Sequence, residues 1–154
     1  MKKHLHRLSK TWASNAQFYI TTCTAGRKPI LDTVGAHDIL RAEWRSALER
    51  HGWAVGRYVI MPDHVHFFCT ETVDGKTLSE FIGAWKQWTA KAMVQAHRIN
   101  PPIWQAEFFD HLLRSDESFS EKWEYVHDNP VRKGLVKTAD EWPYQGWIHY
   151  DGAL

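Results

Sequence analysis

"WAVGRYVIMPDHVHFFCT", residues 53–70, is two runs of β-branched and aromatic residues hinged on Pro62-Asp63. "WAVGRYVIM" (53–61) and "HVHFFCT" (64–70) read as two strands joined by a tight turn, because Pro and Asp supply the backbone geometry and local hydrogen bonding of turns. Successive side chains of a strand point to opposite faces, so His64 and His66 share one face and Val65 takes the other. Two imidazoles on one face can converge on a small object, for which a metal ion is the natural candidate. A pair of partly exposed sheet histidines with no ligand is the competing reading.

Working outward, "QFYITTCTA" (17–25) has the same strand composition and ends in a turn over Gly26–Pro29. Ile39, Leu40, Trp44, Ala47 and Leu48 recur at helical spacing over 35–51, and Gly52 is positioned to stop that helix. A second helix is expected over 77–97, burying Leu78, Phe81, Ile82 and Trp85, with Pro101 and Pro102 closing the unit. "IWQAEFFDHLLR" (103–114) is expected as a strand. Ser115 or Asp116 caps a last helix expected to reach about Asn129, since Pro130 disfavours helical geometry in the residue before it. The order β-α-β-β-α-β-α predicts an α+β fold, an antiparallel sheet of the split βαβ kind backed by helices.

In the last helix Phe119, Trp123 and Val126 define a buried stripe. Tyr125 is rotated off that stripe, and Asn129 lies one turn beyond it on the same face, so a phenol and an amide are presented together. A surface tyrosine followed by an Asn-Pro helix stop has the same spacing.

The 154 residues are enough for one domain, expected to comprise a core over about 16–136, a basic arm over 1–10 and an aromatic tail over 137–154. A net charge of +1 gives no general basic field, but Lys2, Lys3, Arg7 and Lys10 cluster in the arm, and Arg132, Lys133 and Lys137 follow Pro130. Aromatic residues make up 14% of the chain, nine of them tryptophan, which implies a heavily aromatic core or surfaces on which bases stack. Cys23 and Cys69 have neither zinc-site nor redox-motif spacing and read as free thiols of a reducing compartment. No stretch of 18 apolar residues suggests a membrane span, and the expected location is the cytoplasm. GxSxG, GxGxxG and GxxxxGK are absent, and no histidine is followed two places later by Thr or Ser, which removes the common hydrolase, dinucleotide, NTPase and two-histidine phosphoesterase readings.

Three stretches, "YVIMPDHVHFF" (58–68), "WQAEFFDHLLRS" (104–115) and "YVHDNPVRKGLV" (125–136), resemble in order and spacing the single-tyrosine HUH transposases, and among them the REP-associated tyrosine transposases. The resemblance runs from about Ala16 to Val136. It implies a ferredoxin-like sheet of the HUH endonuclease type, Mg²⁺ or Mn²⁺ as the metal, and single-stranded or hairpin DNA as the partner. It further implies that His64 and His66 are metal ligands, that Asn129 is a third, polar ligand, and that Tyr125 is the nucleophile, forming a 5′-phosphotyrosine and releasing a 3′-hydroxyl. Lys2, Lys3, Arg7, Lys10, Arg114, Arg132 and Lys133 are the candidate DNA contacts; His111 is a candidate supporting residue, and Asp63 either an outer-shell carboxylate or simply a turn residue. The alternative function is a domesticated or inactive module that holds hairpin DNA or RNA without cutting. A monomer is preferred over a dimer.

Overall fold

The computed structural model describes residues 16–113 and 116–152. Its sheet has five strands, β1 (Gln17–Cys23), β2 (Trp53–Met61), β3 (His64–Glu71), β4 (Phe109–Leu113) and β5 (Gln145–Trp147), in the order β4-β1-β3-β2-β5, with every neighbouring pair antiparallel. β1 and β2 are thus split by β3, as the ferredoxin-like reading requires. Met61 pairs with His64 across the two-residue turn, so the hairpin read at Pro62-Asp63 is the centre of the sheet.

Helices α1 (Val34–His51) and α2 (Leu78–His97) cover one face. Thr33 caps α1 through its hydroxyl, Gly52 ends it in the left-handed region (φ 72°), and a Thr77–Glu80 capping box starts α2. Ile20, Ile60, Val65 and Phe67 of the sheet meet Trp44, Phe81 and Trp85 of these helices. Trp44 stacks on Trp85 with centroids 5.2 Å apart, and Trp53 stacks on Phe81 at 5.5 Å. The aromatic surplus divides: Trp44, Trp53, Trp85, Trp104 and Trp142 are buried, whereas Trp88 and Trp147 are exposed.

The other face carries Tyr19, His64, His66 and Phe68. It is covered by α3 (Asp116–His127), whose Phe119 and Val126 pack on Phe68 and Tyr19 as the predicted stripe requires, with Trp123 partly buried beside them. This second layer sets a helix against the histidine-bearing side of β3.

Three expectations are corrected. The strand expected over 103–114 is confined, within the described residues, to Phe109–Leu113. Upstream, Trp104 makes only an isolated antiparallel bridge to Thr24, flanked by Ala25 N–H to Ile103 O at 2.8 Å and Gln105 N–H to Cys23 O at 2.9 Å, and is buried against Trp85; between that bridge and β4 the Lys86 ammonium donates to the carbonyls of Gln105, Ala106 and Glu107 at 2.8, 3.4 and 2.8 Å. The last helix stops at His127, not about Asn129, and a separate turn, α4 (Asn129–Arg132), follows with Pro130 in its first positions. Proline has no N–H to give the preceding turn, and its ring crowds the carbonyl four residues back, so the helix breaks and restarts. The aromatic tail, which the expected order β-α-β-β-α-β-α leaves without an element, supplies a fifth strand, whose Arg57–Trp147, Tyr58–Gly146 and Val59–Gln145 pairs cover the free edge of β2. Among the described residues no helix is long and apolar enough to cross a membrane.

Candidate active site

His64 and His66 stand on the α3 side of β3, beside the hairpin turn. Their Nε2 atoms are 3.1 Å apart, and the Asn129 side-chain amide lies 3.4 Å from the first and 3.3 Å from the second. Donors held about 2.1 Å from a shared cation would be about 3.0 Å apart at right angles and about 3.4 Å apart at the tetrahedral angle. The three groups therefore have the mutual spacing of neighbouring ligands on one ion. A half-turn of the Asn129 amide presents its oxygen in place of its nitrogen, the form in which an amide ligates. Among the described residues no cluster of three His, Cys, Asp or Glu side chains comes together to hold a metal, so any ion here rests on two imidazoles and an amide.

The far side of each imidazole is fixed. His64 Nδ1 is 2.7 Å from Asp63 Oδ1, and Asp63 Oδ2 accepts from Arg27 Nε at 3.0 Å. His66 Nδ1 is 2.7 Å from the Tyr19 hydroxyl and 2.9 Å from the Thr21 hydroxyl. With the proton on Nδ1 of each ring, donated to these oxygens, both Nε2 lone pairs are left facing Asn129. Burial favours the neutral rings this requires. It pushes His66 down to about 3, helped by positive charge at His64, Lys122, Arg132 and Arg27. Burial also lowers His64, although Asp63 pulls the other way. At Asp63 burial acts to raise the carboxyl, but hydrogen bonds from His64 and Arg27 prevail and hold it below the usual range. Asp63 sits in the turn, where its backbone carbonyl accepts from Thr24 N–H at 2.9 Å and ties the turn to the end of β1, while its carboxylate is hydrogen-bonded to His64.

A cleft of about 350 Å³ opens over the pair, lined by Arg27, His64, His66, Tyr125, Asn129, Arg132 and Lys133. Tyr125 is 63% exposed, and its ring is covered by the Arg132 guanidinium, 3.8 Å from the centroid. Although α3 ends before Asn129, the restarted turn keeps that residue buried against the imidazoles while Tyr125 stays in the open cleft. Three cations with an exposed phenol and a candidate metal pair suit a phosphodiester better than a neutral substrate.

The fold brings His64, His66, Asn129, Tyr125, Arg132 and Lys133 into one place. His111 is not part of that cleft; it lines a second one, with Lys122 and the other side of Tyr125. Lys2, Lys3, Arg7, Lys10 and Arg114 lie outside the described residues. Sequence reading missed Tyr19, Thr21 and Arg27 at the site. Alternation along "QFYITTC" places Tyr19 and Thr21 on one face, but only the β1–β3 register, with Thr21 opposite His66, brings them to an imidazole. Tyr19 is buried, which raises its phenol above the ordinary range, and it backs the histidine pair rather than facing the cleft.

The transposase IS200-like family model matches residues 12–129. A REP-associated tyrosine transposase of Escherichia coli (strain K12) is 27% identical over 108 residues, 70% of this chain and 59% of that protein. A Haemophilus influenzae relative named for the same group is 25% identical over 116 residues, 70% of this chain and 66% of its own. The chain thus spans somewhat under two thirds of the length of these relatives. A solved REP-associated tyrosine transposase bound to a REP hairpin superposes with a TM-score of 0.69 at 21% identity, over 87% of this chain and 78% of that one, which shows a shared fold. With the family model covering most of its length, the chain belongs to the IS200-like transposase family.

Proposed function

We propose that this protein cleaves and rejoins single-stranded DNA beside a hairpin, with Tyr125 as nucleophile and His64, His66 and Asn129 holding a divalent cation, Mg²⁺ or Mn²⁺. The observation that carries the reading is the convergence of two imidazole Nε2 atoms and an amide, 3.1 to 3.4 Å apart, in a cleft shared with an exposed tyrosine and three cations. The E. coli relative is named a REP-associated tyrosine transposase, and the structural neighbour is bound to a REP hairpin, which supports a hairpin substrate.

The Tyr125 oxygen attacks phosphorus, a P–O bond forms to the phenol oxygen, the bond from phosphorus to the 3′ oxygen breaks, and the phenol proton ends on that 3′ oxygen, leaving a 5′-phosphotyrosine and a free 3′-hydroxyl. Arg27, Arg132 and Lys133 neutralise the phosphate oxygens and hold the scissile group against the phenol. A cation held by His64, His66 and Asn129 would supply Lewis-acid neutralisation of the phosphate charge. Asp63, Tyr19 and Thr21 keep the two imidazoles in the ligating tautomer. A phenol, with pKa about 10, is a better leaving group than an alcohol, so a 3′-hydroxyl reverses the step and joins strands without a nucleotide cofactor.

The test is incubation with end-labelled hairpin DNA carrying a single-stranded flank, in Mn²⁺, followed by a denaturing gel. The reading predicts a protein–DNA band that survives denaturation and vanishes on chelation. Tight binding without cleavage would support the module that holds hairpins and overturn the enzymatic reading.

A further inference from the structure

Tyr125 lines two clefts: the one over the histidine pair, and another of about 340 Å³ whose walls include His111 of β4 and Glu121 and Lys122 of α3. The strand registers set Tyr19 opposite His111, and Thr21 opposite both Phe109 and His66. Directly paired residues share a face, so His111 and Phe109 stand on the side of the sheet that carries His66. Ring contacts agree. The Tyr19 ring stacks on His66 with centroids 5.5 Å apart and meets the Phe109 ring edge to face at 6.4 Å. The Lys122 ammonium lies 4.9 Å from the centre of the same Tyr19 ring. Leu113, at the other end of β4, is buried with Phe119 in the cluster under α3, whereas Phe109 is 56% exposed. An exposed phenylalanine is ordinary by itself. This one stands against the buried tyrosine that backs the histidine pair, at the edge of the face on which DNA is to be cut.

We propose that Phe109 stacks on a base of the single-stranded flank close to the scissile phosphate. Tyr125 is the divide: the reacting group lies over it in the histidine cleft, and the strand continues across it toward β4. β4 is two places from β3, about 10 Å away in the sheet, so the stacked base is close along the strand to the reacting phosphate. In the β4 cleft Lys122 offsets Glu121, so charge there neither drives nor bars the strand, and the stacked base is the main contact. An aromatic face needs a base that is not already held in a duplex, and every base has a π-face. The contact therefore selects strandedness rather than sequence. A second copy of the chain is the other occupant that an exposed apolar residue on an edge strand invites. Continuity with the cationic histidine cleft, through the shared Tyr125, favours DNA.

This inference rests on the proposed DNA-cutting function, and its test separates the two. Fluorescence anisotropy, in a Tyr125→Phe background that leaves the DNA uncut, measures binding of hairpins whose single-stranded flank carries one abasic residue, moved a position at a time. Phe109 is compared with Phe109→Ala and Phe109→Tyr, and matching unfolding temperatures check that the variants fold. Phe109→Ala should lower affinity for the intact flanked hairpin on the order of tenfold, and Phe109→Tyr should keep it. At one flank position the abasic residue should cost the Phe109 protein about as much and the Phe109→Ala protein nothing further. The log-affinity against log-salt slope should not change, because a stacked ring releases no counterion. A hairpin without a flank should bind all three equally. Full affinity in Phe109→Ala, additive losses at every abasic position, or an equal loss on the unflanked hairpin overturns the proposal. Full affinity together with lost self-association makes a second copy the occupant instead. Protein that binds none of the DNAs overturns this inference together with the function. A Phe109-dependent flank position in a protein whose wild-type form binds but never cuts supports the stacking contact while removing the nucleophile.

Discussion

Asp63→Ala takes from His64 the carboxylate 2.7 Å from its Nδ1, and from Arg27 its 3.0 Å ion-pair partner. The backbone carbonyl that accepts from Thr24 remains, so the hairpin turn should survive. What is lost is the group that fixes the His64 ring and its tautomer. Removing such a partner costs about 10- to 100-fold in metal affinity, roughly 1.4–2.7 kcal/mol. Asp63→Asn keeps an oxygen for Nδ1–H but no charge and should fall between alanine and wild type. Mn²⁺ titration followed by electron paramagnetic resonance gives the affinity directly, and thermal unfolding checks the fold. If Asp63→Ala binds Mn²⁺ as tightly as wild type while His64→Ala does not, the carboxylate has no part in orienting the ligand, and only the turn role survives.

Two further outcomes concern stability. His37, His51, His64, His66 and His149 all lie below the ordinary imidazole value, chiefly through burial. Between those folded values and the unfolded value of about 6.5 the unfolded chain binds more protons, so metal-free protein should be most stable above about pH 6.5 and lose stability as pH falls through the folded values. Urea midpoints measured from pH 7.5 down to pH 5 (about one unit either side of the unfolded value) should fall, and a midpoint that rises would contradict the burial argument. Gly56→Ala would put a methyl 2.6 Å from the Tyr150 ring, where the tail docks on β2. Overpacking of this kind costs about 1–3 kcal/mol, read as a lower unfolding temperature; an unchanged value would show that the tail yields freely.

The central hairpin could be read in advance because turn chemistry and strand composition agree over 53–70, and the histidine pair because alternation alone decides which side chains share a face. The helix stripe of Phe119 and Val126 was equally local. β5 escaped notice because Gln145–Trp147 is too short to show a period, and its strand character comes from the free edge of β2. Tyr19 and Thr21 are in a recognised strand, yet their contact with His66 depends on which strand neighbours β3 and in what register, neither of which periodicity carries. Arg27 reaches Asp63 only because the chain after β1 folds back over the hairpin turn. Asn129 arrives by a route other than an unbroken helix: the break at Pro130 could be anticipated, while the restart that keeps the amide on the imidazoles depends on tertiary packing.

The central claim is that Tyr125 attacks DNA beside a metal held by the histidine pair, and mass spectrometry of the digested protein–DNA adduct tests it most directly. After incubation with hairpin DNA and Mn²⁺, the account predicts a nucleotide remnant on the peptide containing Tyr125. It predicts none in Tyr125→Phe, which should still bind the DNA, and none in His64→Ala, which lacks a ligand. A remnant on Tyr19 or any other residue, or a wild-type yield of adduct from Tyr125→Phe, would contradict it.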